Sequence, residues 1–469
     1  MSFTHPPIQS DQLNQARDAV NGAYPKLLEQ LKNLVRIPGI AWDAFDAKEL
    51  ERSAQFVKTL FEELQVFEDV HILRSEYGEG NVGAPAVVAT RKAKNSRPTV
   101  LLYAHHDVQP PGEIALWESA PFVPAERDGR LFGRGAADDK AGIIAHLGAI
   151  KLLTELVGKD FDLGLVLFIE GEEEAGSPSF ANFLEQYRDL LKSDLIVVAD
   201  SGNWSTTVPA ITTSLRGLVS LEFEVRTLDH AVHSGMYGGA VPDAMLALTK
   251  ILSSMWDEKG RVSISGLNSA QNTDLAYSED QLRADSGLLP STSAIGEGPI
   301  LDRIWSSPAL SLIGLDYPSV RLSSNTLVPS LRAKLSLRIA PGEAPEQALE
   351  ALKSHILAHN PLGAEVRFGA VELGKPFSLG EASWGKALAE QALSLAYGEK
   401  SVDIGIGGSI PFIADLERVF PEAQVLVTGV EDPDSRAHSP NESLHLETFR
   451  KAILAELLLL LGGNQITKP

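Results

Sequence analysis

Five residues able to hold metal ions stand just past apolar or glycine-marked stretches of this chain: His105, Asp138, Glu174, Asp200 and His438. They belong to the strings LLYAHHDVQP, GRGAADDKAG, FIEGEEEAGS, IVVADSG and AHSPNE. Two imidazoles and three carboxylates are the donors that a pair of divalent cations asks for. The chain has no cysteine, which removes thiolate ligands, thiol nucleophiles and disulfides together. Any metal must therefore be held by His, Asp and Glu.

The neighbours of these residues add to the chemistry. Asp107 follows His105 by two positions, so on an extended segment the two share a side. A metal-bound imidazole usually gives its second N–H to a carboxylate, which fixes its tautomer and orientation. Glu172, Glu173 and Glu174 form three adjacent carboxylates that repel each other unless cations neutralise them. A ligand next to a free carboxylate suits metal-assisted hydrolysis, in which one acid holds an ion and the other takes a proton from water. Asp138 precedes a predicted helix over 140–157, whose N-terminal donors help fix a carboxylate; Asp139 could serve as the cap instead. Arg338 interrupts an apolar strand pattern and needs either a partner or a route to solvent. His233 on its own reads as a surface histidine, and Gly407-Gly408-Ser409 as a tight turn before Pro411.

The elements that must position these residues alternate. Helical spacing runs over 24–38 and 48–65, and short β-rich pieces over 67–75 and 83–91. Buried-strand runs follow at 99–103, 163–169, 195–199 and 424–428, with helices between them. This order predicts an α/β layered sheet. Ligands in such sheets gather beyond the carboxyl ends of strands, and His105, Glu173/Glu174, Asp200 and His438 each follow one strand end. From about residue 210 the pattern changes. Alternation at 218–227, a helix at 242–256, strands at 319–323 and 332–340, a helix at 345–359 and a strand at 365–373 give β-α-β-β-α-β, a ferredoxin-like order. The expected division is 1–209 and 375–469 for a catalytic domain and 210–374 for an insertion. The polar stretch 258–298 reads as disordered or as a decoration.

Bulk composition narrows the class. The 469 residues carry a formal charge of -21, which argues against a nucleic-acid partner, and 44% hydrophobic residues suffice for real cores. The N-terminal MSFTHPPIQSDQLNQ lacks the basic and apolar regions of a secretory signal. The late apolar run Leu457–Leu461 is far shorter than the ~20 residues that span a bilayer. No membrane association is expected, and the cytoplasm is the expected compartment.

Taken as an ordered set from LKNLVRIPGI at residue 31 to AHSPNE at 437–442, the strings resemble one family. They are similar to the dinuclear zinc metallopeptidases that include carnosinase-type dipeptidases, glutamate carboxypeptidase, aminoacylase and succinyl-diaminopimelate desuccinylase. GRGAADDKAG, EGEEEAGS, HSGMYGG and GGSIP look most like the dipeptidase branch. The resemblance implies a phosphorylase/hydrolase-like catalytic domain, a mixed sheet flanked by helices, with an inserted α+β ferredoxin-like lid and dimerisation domain. It implies two divalent ions per subunit, zinc by preference and manganese or cobalt as alternatives. Asp138 would bridge the ions, His105 and Asp200 would complete one site, and Glu174 and His438 the other. Glu173 would be the general base and Asp107 the support of His105. His233 would stabilise the oxyanion, reaching the other subunit's site in a homodimer. Arg338 and Ser409, with Asn325 and Gly408, would hold the substrate carboxylate. Relatives often carry Arg-Glu just before Gly-Gly-Ser; here Gly405 and Ile406 stand there.

The function so implied is hydrolysis of dipeptides or short peptides with a free C-terminal carboxylate, through a metal-bridging hydroxide. An N-acyl-amino-acid amidohydrolase, acylase or desuccinylase, would use the same chemistry. A non-catalytic binding or scaffold protein is a third reading, and it would be expected to lack ligands or the base.

Overall fold

A computed structural model describes residues 8–270, 275–379, 384–408 and 411–468. The chain divides into two compact units. The first comprises 1–212, 379–404 and 415–469, and the second 213–378 and 405–414. The segment 405–414, expected with the catalytic domain, thus clusters with the second unit.

The first unit is built on a mixed sheet. Its strands run, edge inward, 70–73, 86–91, 164–170, 99–105, 195–198, 424–427 and 210–215. Thr99–His105, Gly164–Glu170, Leu195–Val198 and Gln424–Val427 are mutually parallel; the flanking strands are antiparallel. The parallel strands bury both faces, which is why they read as continuous apolar runs rather than alternations. Val100, Leu102 and Ala104 join a core formed with helices Ser10–Val35, Lys140–Val157, Trp384–Tyr397 and Leu446–Gly463. Tyr103 points the other way, where its ring meets those of Phe168 and Phe180 edge-on. The parallel strands all end on one side, and that side carries the acidic and imidazole residues.

The second unit holds a four-stranded antiparallel sheet in the order 309–316, 330–339, 217–226, 365–374. With helices Ala244–Ser253 and Pro345–Ala358 this gives β-α-β-β-α-β and the ferredoxin-like strand order. Val219, Leu221, Phe223 and Val225 face the helices, as the alternation requires. One strand differs from expectation. The second strand is Ala309–Asp316, whereas 320–322 is a single 3-10 turn. The 309–316 strand lies at the sheet edge with most side chains exposed, so it lacks the buried alternation that reveals inner strands. In the 258–298 stretch the described residues include a helix, Glu279–Ser286, closed by Gly287. No helix among the described residues is long and apolar enough to cross a membrane.

Candidate metal centre

The strand ends of the first unit bring six side chains together. Donor atoms of His105, Glu173 and Asp200 lie within 4.8 Å of one another, and so do those of Asp138, Glu174 and His438. Asp138 stands between the two groups. Its Oδ1 is 3.0 Å from His105 Nε2 and its Oδ2 is 3.0 Å from His438 Nε2. His438 Nε2 is also 3.2 Å from Glu174 Oε2, and His105 Nε2 is 3.9 Å from Asp200 Oδ1. Asp138, not Asp139, therefore meets both imidazoles. Asp139 instead accepts a hydrogen bond from the His105 backbone N–H at 3.2 Å. His438 adopts φ 63, a left-handed conformation that costs energy for a side-chain-bearing residue and is common at functional sites.

Each donor is held by its neighbours. Asp107 accepts the backbone N–H groups of Glu173 (3.2 Å) and Glu174 (3.0 Å), while its Oδ1 lies 3.4 Å from His105 Nδ1. It thus ties the His105 strand end to the acidic turn, a larger task than orienting one imidazole. Gln109 continues the alternation of 105 and 107: its backbone N–H and side-chain amide both donate to the Glu174 carboxylate, at 3.1 and 2.7 Å. Glu172 turns away and accepts Ala84 N–H and Ser179 N–H, each at 2.8 Å. His106 bonds the Pro85 carbonyl at 2.7 Å and takes a structural place. Glu442 closes the loop that carries Asp138. Its carboxylate accepts Arg134 Nη1 at 2.7 Å and the backbone N–H groups of Gly135 (3.0 Å), Ala137 (3.0 Å) and Asp138 (3.2 Å). Gln109 and Glu442 were not singled out from sequence. Both lie inside the quoted strings, and the i, i+2, i+4 alternation could have found Gln109.

The electrostatics suit cations. Burial, then Asp200, pushes the Glu173 carboxyl well above the usual range. Burial and Asp138 raise Glu174. Burial acts to raise Asp138 too, but the two imidazoles outweigh it and hold it well below. Hydrogen bonds to Asp138 and Glu174 bring His438 up to about 11. So many carboxylates at close range repel one another, and divalent cations would relieve that repulsion. The donor set of two imidazoles and several carboxylates fits zinc, manganese or cobalt.

The second unit carries the other predicted residues. His233 is exposed in a short two-strand pairing with Thr326, and the adjacent Ser234 N–H donates to the Asn325 carbonyl at 2.9 Å. Arg338 lies on the 330–339 strand, on the sheet face opposite the helix-packed residues. Burial lowers its pKa, and Glu372 opposes that. Arg216, which sequence reasoning missed, donates from Nε to the Gly407 carbonyl at 2.9 Å. Burial and the nearby Arg338 bring Arg216 down to about 10, so Arg338 and the Gly407–Gly408 turn share one neighbourhood. Ser409 lies outside the described residues. Gly405 leaves no room for a side chain here: a Cβ would sit 2.8 Å from Trp305 Cβ and 2.9 Å from Ser214 Oγ.

Comparison with known proteins is consistent with this layout. The profile of peptidase family M20/M25/M40 matches residues 101–461. The cysteinylglycine-S-conjugate dipeptidase of Corynebacterium striatum is 33% identical over 383 residues, covering 81% of this chain and 84% of its own. The Cys-Gly metallodipeptidase dug1 of Schizosaccharomyces pombe is 28% identical, covering 94% of this chain and 96% of its own. Among solved structures, human carnosine dipeptidase 1 superposes with a TM-score of 0.76 at 22% identity, over 98% of this chain and 100% of that one. That likeness concerns the fold.

Proposed function

We propose a dipeptidase, from the premise that the chain belongs to peptidase family M20/M25/M40. It is a metal-dependent hydrolase of dipeptides and short peptides with a free C-terminal carboxylate. The observation that carries this reading is the convergence of His105, Asp138, Glu173, Glu174, Asp200 and His438 at the strand ends of one sheet. The dipeptidase names of its relatives support the substrate class.

His105 and Asp200 would hold one divalent ion and Glu174 and His438 the other, with Asp138 available to both; zinc is the proposed ion. When bound, the ions supply Lewis acidity, lowering the pKa of water and polarising a carbonyl. Glu173 takes the proton of the attacking water and passes it to the leaving amine. Its buried place beside Asp200 raises its proton affinity, as a group that must both accept and return a proton requires. Asp107, Gln109 and Glu442 fix the ligands so that little reorganisation is needed during the reaction. From the family likeness, His233 donates to the developing oxyanion. Arg338, with Asn325, Gly408 and Ser409, receives the substrate carboxylate through a charge-assisted contact worth ~1.5–3 kcal/mol.

The assembly proposed is a homodimer, with His233 acting on the partner's substrate. In its support, the edge strand 309–316 exposes Leu312, Ile313 and Leu315, and Val320 and Leu322 stand out beyond it. A monomeric mass in solution would remove this part. The strong negative charge suits the cytoplasm, the compartment proposed.

The deciding experiment is a substrate panel on metal-reconstituted protein, with zinc and with manganese. Alanyl-glycine, cysteinyl-glycine and β-alanyl-histidine are set against N-acetyl and N-succinyl amino acids. Higher kcat/KM on the dipeptides is expected; preference for the N-acyl compounds would make the protein an acylase or desuccinylase.

A further inference from the structure

A further acid flanks the metal centre, and the reaction above does not use it. Glu431 follows the strand Gln424–Val427 and runs beside the loop that begins at Asp200. Gly202 and Glu431 form a parallel bridge, and Asn203 gives both its backbone N–H (2.8 Å) and its side-chain amide (3.1 Å) to the Glu431 carbonyl. The two loops are in backbone contact just before this point. A Cβ on Gly429 would sit 1.7 Å from the Ser201 carbonyl oxygen, so only glycine permits the approach. The local chain is thus built to place residue 431 against the Asp200 loop. A Cβ on Gly202 would meet the Glu431 Cβ at 3.4 Å, so the Glu431 side chain leaves the backbone against the loop that begins at Asp200. Burial raises its carboxyl, Asp138, Asp200 and Glu442 add to this, and His438 opposes it, as expected of a group beside the metal-binding residues. Among the described residues, the hydrogen bonds Glu431 accepts go to its backbone carbonyl, and no ion pair is formed at its carboxylate.

Charge counting says what such a group is for. Asp138, Glu174 and Asp200 offset three of the four positive charges of two divalent ions, and Glu173 offsets the fourth. Glu431 is surplus to the ions, as are Asp107 and Asp139, but those two bond backbone N–H groups and, among the described residues, the Glu431 carboxylate does not. In a dipeptide, the α-ammonium is attached to the carbon next to the scissile carbonyl, so it must lie close to the ions' ligands when that carbonyl is positioned for attack. An N-acyl amino acid has no cation there.

We infer that Glu431 receives the protonated α-amino group of the substrate and so selects free dipeptides over N-acylated amino acids. The inference rests on the dipeptidase reading and adds the residue that enforces it. Glu431 is a binding and positioning group; it takes no part in bond making.

The test uses metal-loaded full-length protein, wild type and Glu431→Gln, with metal per chain measured in both. The probes are the phosphinic isostere of alanyl-glycine and the same compound without its amino group, with Kd read by calorimetry. In wild type, removal of the amino group is expected to weaken binding ~10- to 100-fold, as loss of a charge-assisted hydrogen bond does. In Glu431→Gln that factor is expected to fall below about threefold with metal content unchanged. In parallel, the kcat/KM advantage of alanyl-glycine over propionyl-glycine shrinks through KM. An equal amino-group factor in both proteins, or loss of metal from the variant, overturns the inference. Should the variant not fold, the wild type still decides against it if both isosteres bind equally. Wild-type protein that cleaves N-acetyl amino acids but not alanyl-glycine would instead bring down the dipeptidase reading itself.

Discussion

Glu442→Gln looks conservative and is expected to be severe. Glu442 is fully buried, as is Arg134, and the two are 2.7 Å apart. Oε2 receives Arg134 and Gly135 N–H, while Oε1 receives the N–H groups of Ala137 and Asp138. A glutamine must turn its NH2 toward one of these two donor pairs. Either way two hydrogen bonds become donor against donor, and the Arg134 charge loses its counter-ion. Breaking a buried ion pair from one side costs about 3–5 kcal/mol. For a domain of this size class a kcal/mol is worth about 2 °C, so a fall of roughly 6–10 °C is expected in thermal unfolding. Because the same loop carries Asp138, metal affinity should drop ~10- to 100-fold, as loss of outer-shell support does. Replacing Arg134 with Met in the same protein should recover part of the stability, since it removes the stranded charge. Two results would refute the reasoning: a loss under about 1 kcal/mol, or a double variant whose loss equals the sum of the two single ones.

Three further expectations can be checked directly. Glu173→Gln should lower kcat by ~10²–10⁴ with both ions retained; loss of metal by elemental analysis would make Glu173 a ligand, since its carboxylate shares a cluster with His105 and Asp200. Gly429→Ala should destabilise by about 1–3 kcal/mol or more and disturb the Asp200 loop, and Ser201→Gly should not rescue it because the clashing atom is backbone; recovery in the double variant would contradict this. Burial lowers the pKa of His146, but Glu456 at 2.8 Å outweighs it and the net shift is upward. A histidine raised on folding contributes stability that is full below its unfolded value of about 6.5 and is lost as pH rises through the folded value. The melting-temperature gap between wild type and Glu456→Gln should therefore be largest near pH 6 and narrow toward pH 9; a constant gap would exclude the pair as its source.

Much of the layout could be read along the chain because the inner strands of the first unit are buried on both faces. Val100 to Ala104 and Leu165 to Ile169 have no polar side to mask them, so their ends, and the polar residues just past those ends, stand out. The helix over 140–157 was legible from Ile143, Ile144, Leu147 and Ile150 at helical spacing on one face, all of them buried. The strand 309–316 was not, because an edge strand has one neighbour and mostly exposed side chains, and its sequence reports little of its pairing. Gly405 and Ile406 stand where relatives often carry Arg-Glu. Around Gly405, the neighbours Trp305 and Ser214 show a space that admits no side chain.

The sequence by itself determined the donor chemistry: imidazoles and carboxylates, no thiols, each placed after an apolar run. Which donors meet was decided by the tertiary structure alone. His105 and His438 are more than three hundred residues apart, yet Asp138 stands 3.0 Å from each. Such distances follow from sheet order and from the loops that Glu442 and Asp107 tie down, and no local pattern encodes them. The same holds for Glu431, an ordinary loop acid in the sequence. It acquires a role only because Gly429 lets two distant loops touch.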